Sequence, residues 1–318
     1  MSREQQEHPE LARSEIVTAI PHACADEAAA VEFMEQQRWG DRPSCPRCTG
    51  SNVYKMTARG GTRHRGYRWR CRGCGEQYTV RTGTVYEESR LPLRHWCYAF
   101  WRACSSKKGV SAREIQRHCQ ITYKSALFLM HRVRFAMTPD PAPTAPLTGT
   151  VECDETYVGG KPRRGSGIVR KRGRGTAKTP VFAMVERGGD IRRQVVADVT
   201  GRTLRGAMRE RIDPEARIIT DEFSAYRGTT ADFAGGHESV SHGRGEYARG
   251  DVYTNTAESA FAILKRGLIG TYHAVSRKHL HRYVAEFDFR WNTRRLNDGD
   301  RTVTAIRGAD GKRLMLRA

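Results

Sequence analysis

Val151-Glu152-Cys153-Asp154-Glu155-Thr156-Tyr157-Val158-Gly159-Gly160 is the stretch on which the reading of this chain turns. Its β-branched and aromatic residues predict a strand, and the glycine pair predicts the turn that ends it. Asp154 lies in that strand, and the tract that follows, Lys161 through Lys178, is strongly basic and contains no acid. An acid beside a cationic loop suggests a metal site that handles a polyanion. Taken alone, the segment reads equally well as a surface acid next to a solvated run of charge.

Working outward, Val181 to Glu186 and Ile191 to Val199 read as the next two strands, joined by a hairpin at Gly188-Gly189. Thr203 to Ile212 has the spacing of an amphipathic helix, and Arg217 to Thr220 is a short apolar strand ending at Asp221. The pattern is a mixed α/β sheet in which Asp154 and Asp221 meet if their strands are neighbours. Glu258 opens a helical stretch that continues through Phe261, Ile263 and Leu264, which would aim a third carboxylate at the strand ends. Three acids suit magnesium, a hard ion that takes oxygen ligands, and two such ions can serve both the attacking and the leaving oxygen of a phosphodiester. Asp213, Glu222, Asp251 and Glu286 compete for the same role, and position alone does not choose among them. Cys153 should face the side of the strand opposite Asp154 and belong to the core, whereas His242, ahead of a glycine-rich turn, is a candidate to reach the acidic edge.

Toward the N-terminus, two of the chain's cysteine pairs stand out. Cys45-x-x-Cys48 and Cys71-x-x-Cys74 are separated by a hairpin-sized segment, the signature of a zinc ribbon in which four thiolates hold tetrahedral Zn2+. The remaining five of nine cysteines are scattered, and an odd count argues against a disulfide framework. Within the ribbon, Arg63, Arg65 and Arg68 interleave with Tyr67 and Trp69, either as a nucleic-acid-facing surface or as solvated charge around aromatics that brace a small core. Asp26 can cap a helix running to about Gln37, and residues before about Thr18 read as polar and mobile.

Beyond the ribbon, Pro92 to Cys104 predicts an aromatic-rich helix. Two shorter ones follow, with Ser111 and Glu114 as a capping box and Thr122 as the cap of the second. With Lys124 and Arg132 on its last helix, this segment fits a helix-turn-helix, or equally a connector bundle with exposed charges. Pro139, Pro141, Pro143 and Pro146 then mark a linker. A net charge of +20 favours nucleic acid or another anionic surface as partner. No apolar run is long enough to span a bilayer and the N-terminus lacks the layout of a secretory signal, so the expectation is a cytoplasmic protein.

Asp154 with Gly159-Gly160, Asp221-Glu222-Phe223-Ser224-Ala225-Tyr226, Asn255 through Gly270 with Lys265-Arg266-Gly267, and the run from His273 to Asn292 together resemble the DDE transposases of bacterial insertion sequences. More narrowly, they resemble the group with an N-terminal zinc ribbon, called ISXO2-like. The resemblance runs from about Trp39 to about Asn292. It implies a ribonuclease-H-like α/β catalytic domain over residues 148–297. Ahead of it would stand a helical extension (1–38), a zinc ribbon (39–82), a helix-turn-helix-like domain (90–137) and a Pro-rich linker (138–147), with a basic tail (298–318) behind. It further implies Mg2+ or Mn2+ held by Asp154, Asp221 and Glu258, Lys265 and Arg266 near phosphate, and strand cleavage followed by strand transfer. The partners would be double-stranded DNA, as transposon ends and target, and further copies of the chain when two ends are synapsed, with the protein residing at the nucleoid. The basic residues Arg163, Arg164, Arg170, Lys171, Arg172 and Arg174 sit among glycines and suit phosphate contact better than base readout. The rival reading is a non-catalytic DNA-binding or regulatory protein derived from such an enzyme.

Overall fold

The computed structural model describes residues 15–58, 60–63, 66–139, 145–160 and 177–315. The chain divides into two compact units, one of Met1–Ser105, Ala112–Ala136 and Leu296–Ala318, the other of Ser106–Ser111 and Met137–Arg295.

In the first unit, α1 (Glu15–Ala25) and α2 (Glu27–Trp39) are separated by Asp26, whose carboxylate caps α2 by accepting the Ala29 N–H at 2.8 Å. α1 begins earlier than its polar composition suggests, because Ile20 and Ala23 bury an apolar side against its neighbours. The ribbon follows as β1 (Val53–Lys55), β2 (Trp69–Cys71) and β3 (Gln77–Tyr78), an antiparallel sheet in that order. Its small core is Cys45, Trp69, Cys71 and Tyr78 with Trp39 and Val53 against them. Gly75, at φ +75°, takes the left-handed turn after the second knuckle. Three further helices, α3 (Leu93–Ser105), α4 (Ala112–Cys119) and α5 (Tyr123–Ala136), match the predicted helical segments closely. Glu27 accepts the N–H groups of Leu93 and Arg94 at 2.8 and 3.0 Å, so a carboxylate from α2 caps α3.

The second unit contains β4 (Thr150–Val158), β5 (Thr179–Glu186), β6 (Ile191–Val195), α6 (Gly201–Arg211), β7 (Arg217–Asp221), β8 (His237–Val240), α7 (Asn255–Gly267) and α8 (Leu280–Asn292). The sheet order is β6-β5-β4-β7-β8, antiparallel from β6 to β4 and parallel from β4 to β8. Side-chain alternation divides its two faces. Val151, Cys153, Phe182 and Met184 pack with Leu204 and Met208 of α6, while Val181, Ala183 and Val185 pack with Phe261 and Leu264 of α7 and Val284 and Phe287 of α8. Gly267 permits the close approach of α7 to α8, since a Cβ there would lie 2.2 Å from the Phe287 ring. β6 is shorter than the sequence suggests, and β8, a short edge strand, has no apolar alternation that would have announced it.

The chain then returns to the first unit as α9 (Asp298–Arg307). The stretch read as a basic tail therefore begins as a helix. Asn297 caps it by accepting the Asp300 N–H at 2.8 Å, and Val303 and Ile306 are buried where α9 packs on α1, α2, α3 and α5. Arg38 of α2 joins these parts by donating to the carbonyls of Val80 and Thr82 at 2.9 and 2.7 Å and pairing with Asp310 at 2.8 Å. No described helix is long and apolar enough to cross a membrane.

Candidate functional site

β4 and β7 are neighbours and pair from Thr150↔Arg217 to Glu152↔Ile219. Asp154 lies two residues beyond Glu152, the last residue of β4 paired with β7, and Asp221, the last residue of β7, lies two beyond that residue's partner, Ile219. Because Val151 and Cys153 face α6, Glu152 and Asp154 lie on the face toward α7. Glu258 stands in the first turn of that helix.

Asp154 accepts the Glu155 N–H at 2.7 Å. Burial, followed by the charge of Glu155, nevertheless raises its pKa to about 8, and Asp221 and Glu258 add to the rise. Asp154 thus feels both other acids. Asp221 accepts the Phe223 N–H at 3.0 Å, and the half-exposed Glu258 carboxylate has His242 Nδ1 at 3.8 Å. His242 does reach the acidic edge. Its turn is held by Glu222, which accepts the N–H groups of His242 and Gly243 at 2.9 and 3.0 Å.

The rival acids have other partners. Asp251 pairs with Arg217; Glu286 is fully buried between Arg290 and the Tyr272 hydroxyl; Asp213 accepts the Glu215 N–H at 2.9 Å. Among the described residues, however, only the four ribbon cysteines form a group of three or more potential metal ligands whose donor atoms all lie within 4.8 Å of one another. The three acids occupy neighbouring elements without their oxygens converging to that distance.

Two residues that the sequence reading passed over bind α7 to the sheet. Glu152 accepts Arg187 Nε at 2.8 Å, the Thr256 N–H at 2.8 Å, the Thr256 hydroxyl at 2.9 Å and the Ala257 N–H at 3.0 Å. α7 begins at Asn255, Thr254 before it makes no side-chain capping bond, and a carboxylate from β4 takes the cap. The signal available was an acid between two inward-facing strand residues, a place where a charge must be paired.

In the ribbon, Cys45 and Cys74 approach to 3.7 Å and Cys48 and Cys71 to 3.6 Å. The N–H groups of Cys74 and Gly73 draw the Cys71 thiol down, while burial and the neighbouring sulfurs push the Cys74 thiol up. The cluster suits a structural Zn2+ ion.

The basic candidates fare differently. Lys265, Arg266, Lys124 and Arg68 are exposed. Arg63 instead pairs with the buried Glu35, which also accepts Trp69 Nε1 at 2.7 Å, so this arginine and this tryptophan brace the ribbon against α2. Arg132 is buried, with its guanidinium over the Phe128 ring and donating to the Glu87 carbonyl at 3.0 Å. Its side of α5 turns inward, which corrects its reading as a DNA contact. Arg65, Arg163, Arg164, Arg170, Lys171, Arg172 and Arg174 lie outside the described residues.

Residues 146–292 match the model of the ISXO2-like transposase domain, and residues 25–77 match that of the transposase zinc-ribbon domain. An uncharacterized protein in transposable element ISH50 of Halobacterium salinarum (strain ATCC 700922 / JCM 11081 / NRC-1) is 32% identical over 276 residues, spanning 83% of this chain and 90% of that protein. The chain belongs to the ISXO2-like transposase family. In this family member the matched transposase domain runs from just before β4 to the end of α8 and contains all three acids. The zinc-ribbon match takes in α2, which supplies Glu35 to the ribbon, and all four clustered cysteines.

Proposed function

We propose that this ISXO2-like family member binds the terminal repeats of its transposon and catalyses divalent-metal-dependent strand cleavage and strand transfer. The observation that carries this reading is that Asp154 and Asp221 stand on neighbouring, paired strands, β4 and β7, and that the charges of Asp221 and Glu258 both act on Asp154. The strand order, antiparallel and then parallel about β4, supports a ribonuclease-H-like fold. An all-oxygen donor set fits Mg2+ or Mn2+ and not a thiophilic metal, and mutual repulsion among the acids is what a cation relieves. Bound there, such ions would activate water or a DNA 3'-hydroxyl and stabilise the leaving oxygen. Asp154 and Asp221 are assigned as ligands from adjacent strands and Glu258 as the third, with Lys265 and Arg266 presented to phosphate from the far end of α7.

DNA holding is assigned to Arg68 of the ribbon, to Lys124 on a helix-turn-helix of α4 and α5, and to the basic tract after β4. Arg63 and Arg132 keep their structural roles. Synapsis of two ends calls for at least two copies of the chain, and its charge would keep it with the nucleoid.

A regulatory DNA-binding protein without chemistry is the second reading, favoured by the acids' failure to converge as closely as the cysteines do. Labelled candidate transposon ends with Mg2+ separate the two. Cleavage and joining by the wild type, reduced at least about 100-fold in Asp221→Asn, is the expected outcome, since a metal site contributes several kcal/mol to such a barrier. No DNA processing by either protein, with binding retained, would favour the regulator, and equal processing by Asp221→Asn would sink the assignment of Asp221 as a metal ligand.

A further inference from the structure

We propose that Glu152 is a positioning residue: its buried carboxylate locks the first turn of α7 to β4 and, with Arg187, sets Glu258 against Asp154 and Asp221. The inference rests on the proposed function for what those acids do, but the lock itself is visible in the structure.

Glu152 is 0% exposed and accepts four hydrogen bonds, three of them from Thr256 and Ala257. Helix caps are ordinarily local, yet Thr254, which precedes α7, makes no side-chain capping bond. The cap arrives from another element. Glu152 lies two residues before Asp154 on the same face of β4, and Thr256 lies two residues before Glu258, so one carboxylate connects the two short levers that carry two of the acids.

Arg187 completes the lock. While its Nε pairs with Glu152, its other nitrogens donate to the carbonyls of Asp251 and Tyr253 at 2.6 and 2.9 Å, and its guanidinium lies over the Tyr253 ring at 3.8 Å. The segment leading into α7 is therefore held by the same ion pair as the helix. Arg217 of β7 grips Asp251 from the other strand.

Apolar packing alone would not give this precision. Ala257, Ala260, Phe261 and Leu264 press α7 onto the sheet, but such contacts are non-directional and tolerate sliding along the helix axis. Hydrogen bonds from two consecutive amides to a fixed carboxylate do not. The Glu258 side chain is itself 52% exposed, so the placement of its backbone is the main control that the fold has over it.

The test uses the full, zinc-loaded chain, so that the cysteines are occupied, and follows Mn2+ binding by electron paramagnetic resonance together with amide exchange. In the wild type, Asp221→Asn should abolish Mn2+ binding at the acidic site. Glu152→Gln should weaken Mn2+ about 10- to 100-fold, the usual effect of removing a group that orients a ligand. Adding Glu258→Gln should cost little more, because both changes act through one ligand. The first-turn amides of α7 should exchange faster, with β4 and β5 still protected. If Glu152→Gln does not fold, Arg187→Lys keeps a cation beside Glu152 but gives up its hold on Asp251 and Tyr253, and it should lower Mn2+ affinity several-fold, again without adding to Glu258→Gln. Unchanged Mn2+ affinity in the folded variants, or losses that add fully to that of Glu258→Gln, would overturn the inference and leave the proposed function standing. No Asp221-dependent Mn2+ binding in the wild type would overturn both.

Discussion

Asp154 is held at a cost to the fold. An acid whose pKa is 3.8 in an unfolded chain and about 8 in the folded one binds its proton more tightly when folded. Stability contributed by the protonated form is therefore lost as pH rises from near 4 through about 8, and it levels off above that. Asp154→Asn, which cannot ionise, should melt higher than the wild type in metal-free protein. The gain should grow by up to roughly 3–4 kcal/mol between pH 5 and pH 8, measurable as a rising melting temperature in calorimetric melts across that range. A gain independent of pH would mean that ionisation of Asp154 is not the source. This residue was legible from sequence because a strand pattern and a glycine turn framed it, whereas its partners Asp221 and Glu258 were named by the family resemblance and not by pattern or spacing. Among the competing acids that spacing left open, the structure gives Asp251 and Glu286 arginine partners, Arg217 and Arg290, which no local pattern announced. Arg132 shows the reverse failure: its charge suggested an outward face, while Phe128 and the Glu87 carbonyl give it a buried one.

Among elements, those with strong local signals were readable. α2 carried its own cap at Asp26, and α3 displayed Trp96, Phe100 and Leu93 at helical spacing. β8 and α9 were missed for a common reason, since each has few apolar residues and gains its place from neighbours already folded. In α9 the usable signal was Asn297 followed by Asp298 and Asp300, a cap with acids in the first turn, and then Val303 and Ile306 three residues apart. Ile306 is 2% exposed within the packing of α9 on α3. Ile306→Ala should therefore cost about 2–5 kcal/mol of the first unit's stability by leaving a cavity, whereas the exposed Thr304→Ala should change it by less than about 0.5 kcal/mol. Denaturant melts of the two variants make the comparison. Similar melts would show that α9 is not a structural part of that unit.

Across the whole molecule, the α/β unit and the ribbon owe their stability to different physics. The α/β unit has an apolar layer on each face of a five-stranded sheet, built from residues as large as Phe182, Tyr226, Phe261 and Phe287. The ribbon's core cluster among the described residues is Cys45, Trp69, Cys71 and Tyr78 with Trp39 and Val53 against them, too little to hold its short strands alone, and two of the four are thiols that need a cation. Removing zinc should therefore act on one part of the molecule. A strong chelator should release the indoles of Trp39 and Trp69, which meet edge to face at 5.5 Å, and shift their fluorescence toward that of exposed tryptophan. Amide protection of β4, β5 and β7 should persist through the same treatment. Cys48→Ser should reproduce the chelator's effect without added reagent, because losing one of four ligands undoes a site worth about 10 kcal/mol or more to its domain. Simultaneous loss of protection in both regions would instead mean that the chain unfolds as a single cooperative body, with zinc supporting the sheet as well as the ribbon.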